Sequence, residues 1–223
     1  GLKLTSIRWP DGKLQRVAAT LPEGKLQRWR HQLRISARAP TSQPPWLAAP
    51  PSQGSYSWPS DTAQRGKPGI PEPLAVELTL RTPGGHGITL RRPLEQIWTD
   101  RVRGERRRKT LVVPPVLITP ARRVVLVPWG RRQTVHVTLR AARGKLQGVL
   151  RPKLPEGYRC SPTEAAFTLA KRGDERTVAF ELRAPRRGKV DARRDELSFY
   201  AEVGNKRYER GLLEVDYPHI DPM

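Results

Sequence analysis

The chain has 223 residues, with 42 Lys and Arg against 21 Asp and Glu, 23 prolines and one cysteine. That length suits one large or two ordinary domains, and the prolines argue against long helices and for short strands joined by turns. Lone Cys160 excludes an internal disulfide and a multi-cysteine metal site, and no apolar run reaches the roughly 18–20 residues of a membrane-spanning helix.

In chain order, residues 1–40 read as three short strands. Leu2 and Leu4 alternate with Lys3 and Thr5, a second run covers Leu14 to Leu21 after the turn Pro10-Asp11-Gly12, and Leu33 and Ile35 alternate with Arg34 and Ser36. Trp9 and Trp29 stand near strand ends, where large amphipathic rings cover core edges. Residues 40–73 form a long irregular segment with nine of the 23 prolines. Its aromatics Trp46, Tyr56 and Trp58 have two readings: rings packed over a sheet edge, or a platform that stacks on sugar rings or bases.

Strands resume with Leu74, Val76, Leu78 and Leu80, which alternate strictly with polar or small residues. After the turn Pro83-Gly84-Gly85 come Ile88 and Leu90, then Leu94 to Trp98. The stretch from Arg101 to Lys109 holds six basic residues, among them Arg101, Arg103, Arg106, Arg107 and Arg108, and one acid. Lying between strand-like runs, it reads as a charged sheet edge that blocks strand-to-strand aggregation, or as a polyanion contact.

Pro114-Pro115 marks a stiff extended junction, so the domains are expected at 1–113 and 114–223. The second half shows runs at Val116 to Thr119, Val124 to Val127, Thr134 to Arg140 and Leu146 to Leu150. The most regular stretch follows. In it Phe167 and Leu169 share one strand face, and Val178, Phe180 and Leu182 face inward on the next strand. Leu197 to Val203 and Lys206 to Arg210 flank the hairpin turn Gly204-Asn205, and Leu212 to Tyr217 closes the chain. About eight strands with turns every 8–12 residues predict a sandwich. The fold expected is therefore all-β, as two consecutive Ig-like or fibronectin-like β-sandwiches.

The basic excess is spread along the chain: 20 basic against 8 acidic side chains in residues 1–113, and 22 against 13 in 114–223. Arginine outnumbers lysine by 32 to 10. A GC-rich genome accounts for that composition, and attraction to acidic polysaccharide, lipid headgroups or nucleic acid is the functional alternative.

Catalytic chemistry is not legible. The four histidines His31, His86, His136 and His219 are far apart in sequence, and His86 and His136 read as structural or solvated. His219-Ile220-Asp221 offers two ligands where a metal needs three or four. There is no P-loop, dinucleotide fingerprint or nucleophile elbow, and no RRM, helix-turn-helix or zinc-finger pattern. Cys160 has no activating neighbour beyond Arg159 and reads as inert. Catalytic residues, metal ligands and cofactors are expected to be none, and the candidate ligand contacts are Trp46, Tyr56, Trp58 and the arginines of 101–108.

Several pieces, in order, resemble the non-catalytic Ig-like region of large bacterial PIG-L/LmbE-family deacetylases. They are Gln43-Pro44-Pro45-Trp46-Leu47, Trp98-Thr99-Asp100 with Val102-Arg103-Gly104-Glu105, and Val113-Pro114-Pro115-Val116. Next come Gly148-Val149-Leu150, Leu154-Pro155-Glu156-Gly157-Tyr158 with Ser161-Pro162, and Phe167-Thr168-Leu169. Gly211-Leu212 and Tyr217-Pro218-His219-Ile220 complete the set. Arg101 stands where the family pattern has proline, and Tyr158 where it has tryptophan. The second half is also similar to Ig-like domains attached to alpha-galactosidases.

The resemblance implies a carbohydrate-associated accessory segment of a zinc-dependent N-acetylglucosamine de-N-acetylase, in a periplasmic or extracellular protein. Its implied partner is the catalytic domain of the same parent protein. That family's His-Pro-Asp-Asp type metal motif is absent, since no His-Pro pair occurs in the 223 residues. The start at Gly1 and the lack of a signal peptide lead to the expectation of a processed product or a piece of a longer protein. The alternatives are a basic protein that binds acidic polymers or nucleic acid, with nucleic acid the weaker partner, and an envelope adhesin or spacer.

Overall fold

A computed structural model describes residues 1–36, 39–47, 49, 52, 54–58, 74–185 and 194–212. The chain is all-β, and among the described residues its strands pair antiparallel throughout. It divides into two compact units after Val112.

The first unit is built on β1 (Lys3–Arg8), β2 (Leu14–Thr20), β3 (Ala75–Arg81) and β4 (Gly87–Pro93), in the sheet order β2-β1-β3-β4. A β-bulge between Leu4 and Ser6 shifts β1 against both neighbours. At the bulge the Thr5 hydroxyl donates to the Thr79 carbonyl at 2.9 Å, which satisfies a carbonyl where the ladder is irregular. Leu4, Ile7 and Leu80 are the buried centre of one sheet face, covered by Trp9, Trp29, Val17, Leu21, Val76 and Leu78. A separate two-stranded sheet pairs β5 (Glu95–Asp100) with β6 (Gly104–Lys109). Its base is tied by Thr110 N–H donating to the Leu94 carbonyl at 2.8 Å, and Leu94 N–H donates in turn to the Leu74 carbonyl at 2.9 Å.

The second unit holds β7 (Val116–Pro120), β8 (Arg132–Ala141), β9 (Leu146–Lys153), β10 (Arg159–Ser161), β11 (Ala165–Leu169), β12 (Glu175–Arg183), β13 (Ser198–Val203) and β14 (Lys206–Tyr208). They form two four-stranded sheets, β10-β12-β8-β7 and β11-β9-β13-β14. The inward set is the one the alternation predicts. Val135, Val137 and Leu139 of β8, Phe167 and Leu169 of β11, and Val178, Phe180 and Leu182 of β12 are all buried in one core. Phe180 and Phe199 come from opposite sheets and touch, with ring centroids 5.4 Å apart and tilted 41°. This contact joins the two sheets at the sandwich centre.

Two glycines mark where backbones crowd. A Cβ on Gly148 would lie 2.2 Å from the Glu202 carbonyl oxygen and 2.9 Å from the Phe167 ring. A Cβ on Gly211 would lie 2.4 Å from the Ile118 carbonyl oxygen, because the chain after β14 runs beside β7 and Ile118 N–H donates to the Arg210 carbonyl at 3.1 Å.

Two expected strands do not form. Leu33 to Ser36 stands outside any ladder, with Ile35 41% exposed. Val124 to Val127 alternates in burial, since Val125 packs on the core while Val124 and Leu126 are exposed, yet no strand pairs with it among the described residues. Alternation sets the face a side chain takes; a strand also needs a neighbour. The expected last strand lies outside the described residues beyond Leu212.

Candidate ligand-binding surfaces of the first unit

The long loop is fastened at its start. Ser42 N–H donates to the Val112 carbonyl at 2.8 Å, and Val112 N–H donates to the Ser42 hydroxyl at 2.9 Å. A 3-10 turn, Pro45–Leu47, buries Pro45 and sets Trp46 beside Trp58. The two rings stack with centroids 5.9 Å apart and planes 22° from parallel. Ser52 and Ser55 exchange both backbone hydrogen bonds at 2.9 Å. Each ring covers a face of the other, which reduces the area available for a flat ligand. Tyr56 is exposed.

The arginines of 101–108 sit on the β5–β6 hairpin. Its register pairs Gln96 with Arg108, Trp98 with Arg106 and Asp100 with Gly104. Directly opposed residues share a sheet face, so Trp98, Arg106, Arg108 and Gln96 lie on one side. Ile97, Arg107, Thr99, Glu105, Glu95 and Lys109 lie on the other. Arg107 is held on that second face by Glu105 at 2.8 Å and Glu95 at 3.9 Å. Arg106 and Arg108 are half-buried, and Trp98 is 40% exposed.

The hairpin tip is pre-organised. The Asp100 carboxylate accepts the backbone N–H groups of Val102 and Arg103, both at 2.8 Å. Gly104 takes a left-handed φ of 74°, a conformation that favours glycine. The Arg103 and Val102 hydrogen bonds hold the Asp100 carboxyl below its usual pKa. Arg101 and Arg103 are presented on either side of fully projecting Val102.

The structure thus gathers Arg106 and Arg108 on one face, turns Arg107 to the other, and holds Trp46, Tyr56 and Trp58 in a separate loop of the same unit. Sequence reading did not single out Trp98, which the register sets across from Arg106. The signal was the turn at Asp100-Gly104: once it is placed, register puts Trp98 opposite Arg106.

A second grouping joins residues far apart in sequence. The His31 ring stacks on Trp9 with centroids 4.5 Å apart, and its Nε2 meets the Asp11 carboxylate at 2.9 Å. That contact with His31 lowers the Asp11 pKa. Trp9 also donates its indole N–H to Gln15 at 3.1 Å. Through these contacts the cluster pins the ladder-free segment around His31 to the β1–β2 turn.

The remaining candidate groups stand apart from these surfaces. Burial pushes the Cys160 thiol up to about 11, so it is protonated near neutral pH and a poor nucleophile. His86 and His136 are exposed. No group of three or more His, Cys, Asp or Glu is placed to hold a metal among the described residues, and His219 and Asp221 lie outside them. No helix among the described residues is long and apolar enough to cross a membrane. In the second unit an open groove is lined by Val125, Tyr158, Leu197 and Phe199. Arg194 and Leu212, also in its lining, adjoin undescribed stretches.

The chain matches no protein-family model and no curated protein sequence.

Proposed function

We propose that this chain is a non-catalytic accessory region of a PIG-L-type, zinc-dependent de-N-acetylase acting on amino-sugar glycoconjugates outside the cytoplasm. In this reading it is a scaffold whose partner is the catalytic domain of the same parent protein. The supporting observation is where the resembling pieces fall. Gly148 and Gly211 sit where backbones crowd, and Gly157 turns the β9–β10 connection at a φ of 80°. Phe167 and Leu169 fill the core. These are positions of backbone and packing constraint, so what the family pattern marks in this chain is scaffold.

The direct test supplies the isolated chain with zinc and N-acetylglucosamine conjugates and measures acetate release. The expected result is none above the blank, and sustained turnover contradicts the proposal. Joining the chain to a PIG-L catalytic domain should raise deacetylation of a polymeric substrate and leave a small soluble substrate unchanged. A His-Pro-Asp-Asp motif in the sequence flanking this chain in its parent gene would identify the enzyme it belongs to.

A second reading, a polyanion-binding surface, is favoured by one specific observation. The β5–β6 ribbon and its tip concentrate Arg101, Arg103, Arg106, Arg107, Arg108 and Lys109 against Glu95, Asp100 and Glu105, on a chain of net charge +21. The two readings are compatible when the accessory region holds an acidic substrate polymer.

A further inference from the structure

We infer that the Trp98–Arg106–Arg108 face of the β5–β6 hairpin is a binding site for an acidic polysaccharide, with Trp98 as a sugar-ring platform and the guanidinium groups receiving carboxylate or sulfate. The inference rests on the polyanion reading and assigns its site and ligand class.

Three observations carry it. First, register places Trp98 directly across from Arg106 and diagonal to Arg108 on one face, where cross-strand neighbours lie within about 5–8 Å of each other. An indole offers a flat apolar surface to the C–H face of a pyranose. A guanidinium beside it meets a ring substituent with a forked pair of donors. Gln96, across from Arg108, adds an amide that can both donate to and accept from hydroxyls.

Second, the ribbon is fixed at both ends. It is a two-stranded sheet of its own, closed at the tip by Asp100 and tied at its base by Thr110 and Leu94. Binding therefore orders little backbone, which lowers its entropic cost.

Third, the chemistry separates glycan from nucleic acid. Single-strand readers stack successive bases on several aromatic rings along a basic track. Trp98 is the sole aromatic residue of Glu95–Lys109, and Trp46 and Trp58 stack on each other elsewhere in the unit. One ring amid several cations suits a polymer that presents one apolar sugar face and repeating charge.

The test uses the intact chain and three probes of matched charge: a sulfated glycosaminoglycan oligosaccharide, a polyuronate oligosaccharide and single-stranded DNA. Affinities are measured by calorimetry at low and moderate salt. Two double variants each remove two positive charges, so long-range attraction falls equally: Arg106→Gln with Arg108→Gln, and Arg107→Gln with Lys109→Gln. The first pair is expected to weaken glycan binding by about tenfold, as expected for two contact ion pairs of modest individual strength. The second pair should cost about twofold, from screened charge alone. Trp98→Ala should cost about fivefold, within the range of an aromatic contact, and Trp98→Phe should recover part of it.

The two oligosaccharide arms separate sulfate from carboxylate as the favoured group. Equal losses from both double variants, with Trp98→Ala silent, overturn the assigned face and leave the polyanion reading standing. Tighter binding of DNA than of either oligosaccharide overturns the glycan assignment in favour of nucleic acid. No binding of any probe at low salt overturns the inference and the polyanion reading together.

Discussion

The two halves of this molecule bury apolar surface in different ways. The second unit closes two four-stranded sheets over a core in which Phe180, Leu139, Leu146, Leu150 and Val137 are fully covered. Among the described residues the first unit's sheet cluster has three buried aliphatic residues, Leu4, Ile7 and Leu80, covered by partly buried rings such as Trp9 and Trp29. The surfaces differ as well. Arg132, Arg140 and Arg151 of the second unit meet Glu181, Glu175 and Glu164 at 2.9, 3.6 and 2.8 Å. The first half has 20 basic side chains against 8 acids and the second 22 against 13, so both carry a basic excess and it is larger in the first. A well-filled core with ion-paired arginines on its surface suits a scaffold. A thin core with projecting basic structure leaves surface for a partner.

The largest expected effect breaks the scaffold. Phe180→Ala removes the ring that meets Phe199 across the sheets and should cost about 3–5 kcal/mol. Two-probe unfolding, with the first unit followed by the amide signals of β1 and β3, should show the second unit lost early and the first unchanged. A common shift of both transitions would contradict separate cores.

Leu80→Ala is the matching cut in the first unit. Its smaller, partly exposed core can relax, so about 2–3 kcal/mol is expected, at the lower end for buried leucines. The same unfolding experiment should now move only the first-unit transition. A loss as large as that of Phe180→Ala would mean the thin core is better packed than its burial implies.

Gly148→Ala sharpens the contrast from the backbone side. The added methyl meets a carbonyl oxygen and an aromatic ring, and a cost of about 1–3 kcal/mol is expected from forced displacement. A denaturant midpoint equal to the parent's would show that β9 and β13 can separate freely.

The smallest effect concerns the hairpin tip. Because the Asp100 pKa is lowered on folding, its contribution is full above the usual carboxylate pKa of 3.8 and is lost as pH falls through the lowered value. Protection of the Val102 and Arg103 amides from hydrogen exchange should therefore persist through pH 3.8 and disappear only at more acidic pH. Asp100→Ala should abolish that protection at every pH. Loss of protection in the parent above pH 4 would contradict the assigned cap.

Much of this architecture can be read from alternation. Phe167, Leu169, Val178, Phe180 and Leu182 point inward as their spacing requires, and the turns at Gly173 and Gly204 fall between the expected strands. Alternation failed at Leu33–Ser36 and Val124–Val127 because a ladder needs a partner strand, and a local pattern carries no information about one. The candidate site was legible as basic density but not as a face. Which arginines stand beside Trp98 depends on the β5–β6 register, and that register depends on Asp100 capping a three-residue turn. The His31–Asp11 contact joins residues 20 positions apart through the fold and left no sequence signal.

The central claim is a division of labour, with ligand contact on the first unit's hairpin and scaffold in the second. The most direct measurement is a residue-resolved NMR titration of the intact chain with a sulfated glycosaminoglycan oligosaccharide. The expected result is saturable shifts concentrated in Glu95–Lys109, led by the Trp98 indole N–H. Shifts concentrated on the second unit, or spread over all surface arginines alike, would contradict it.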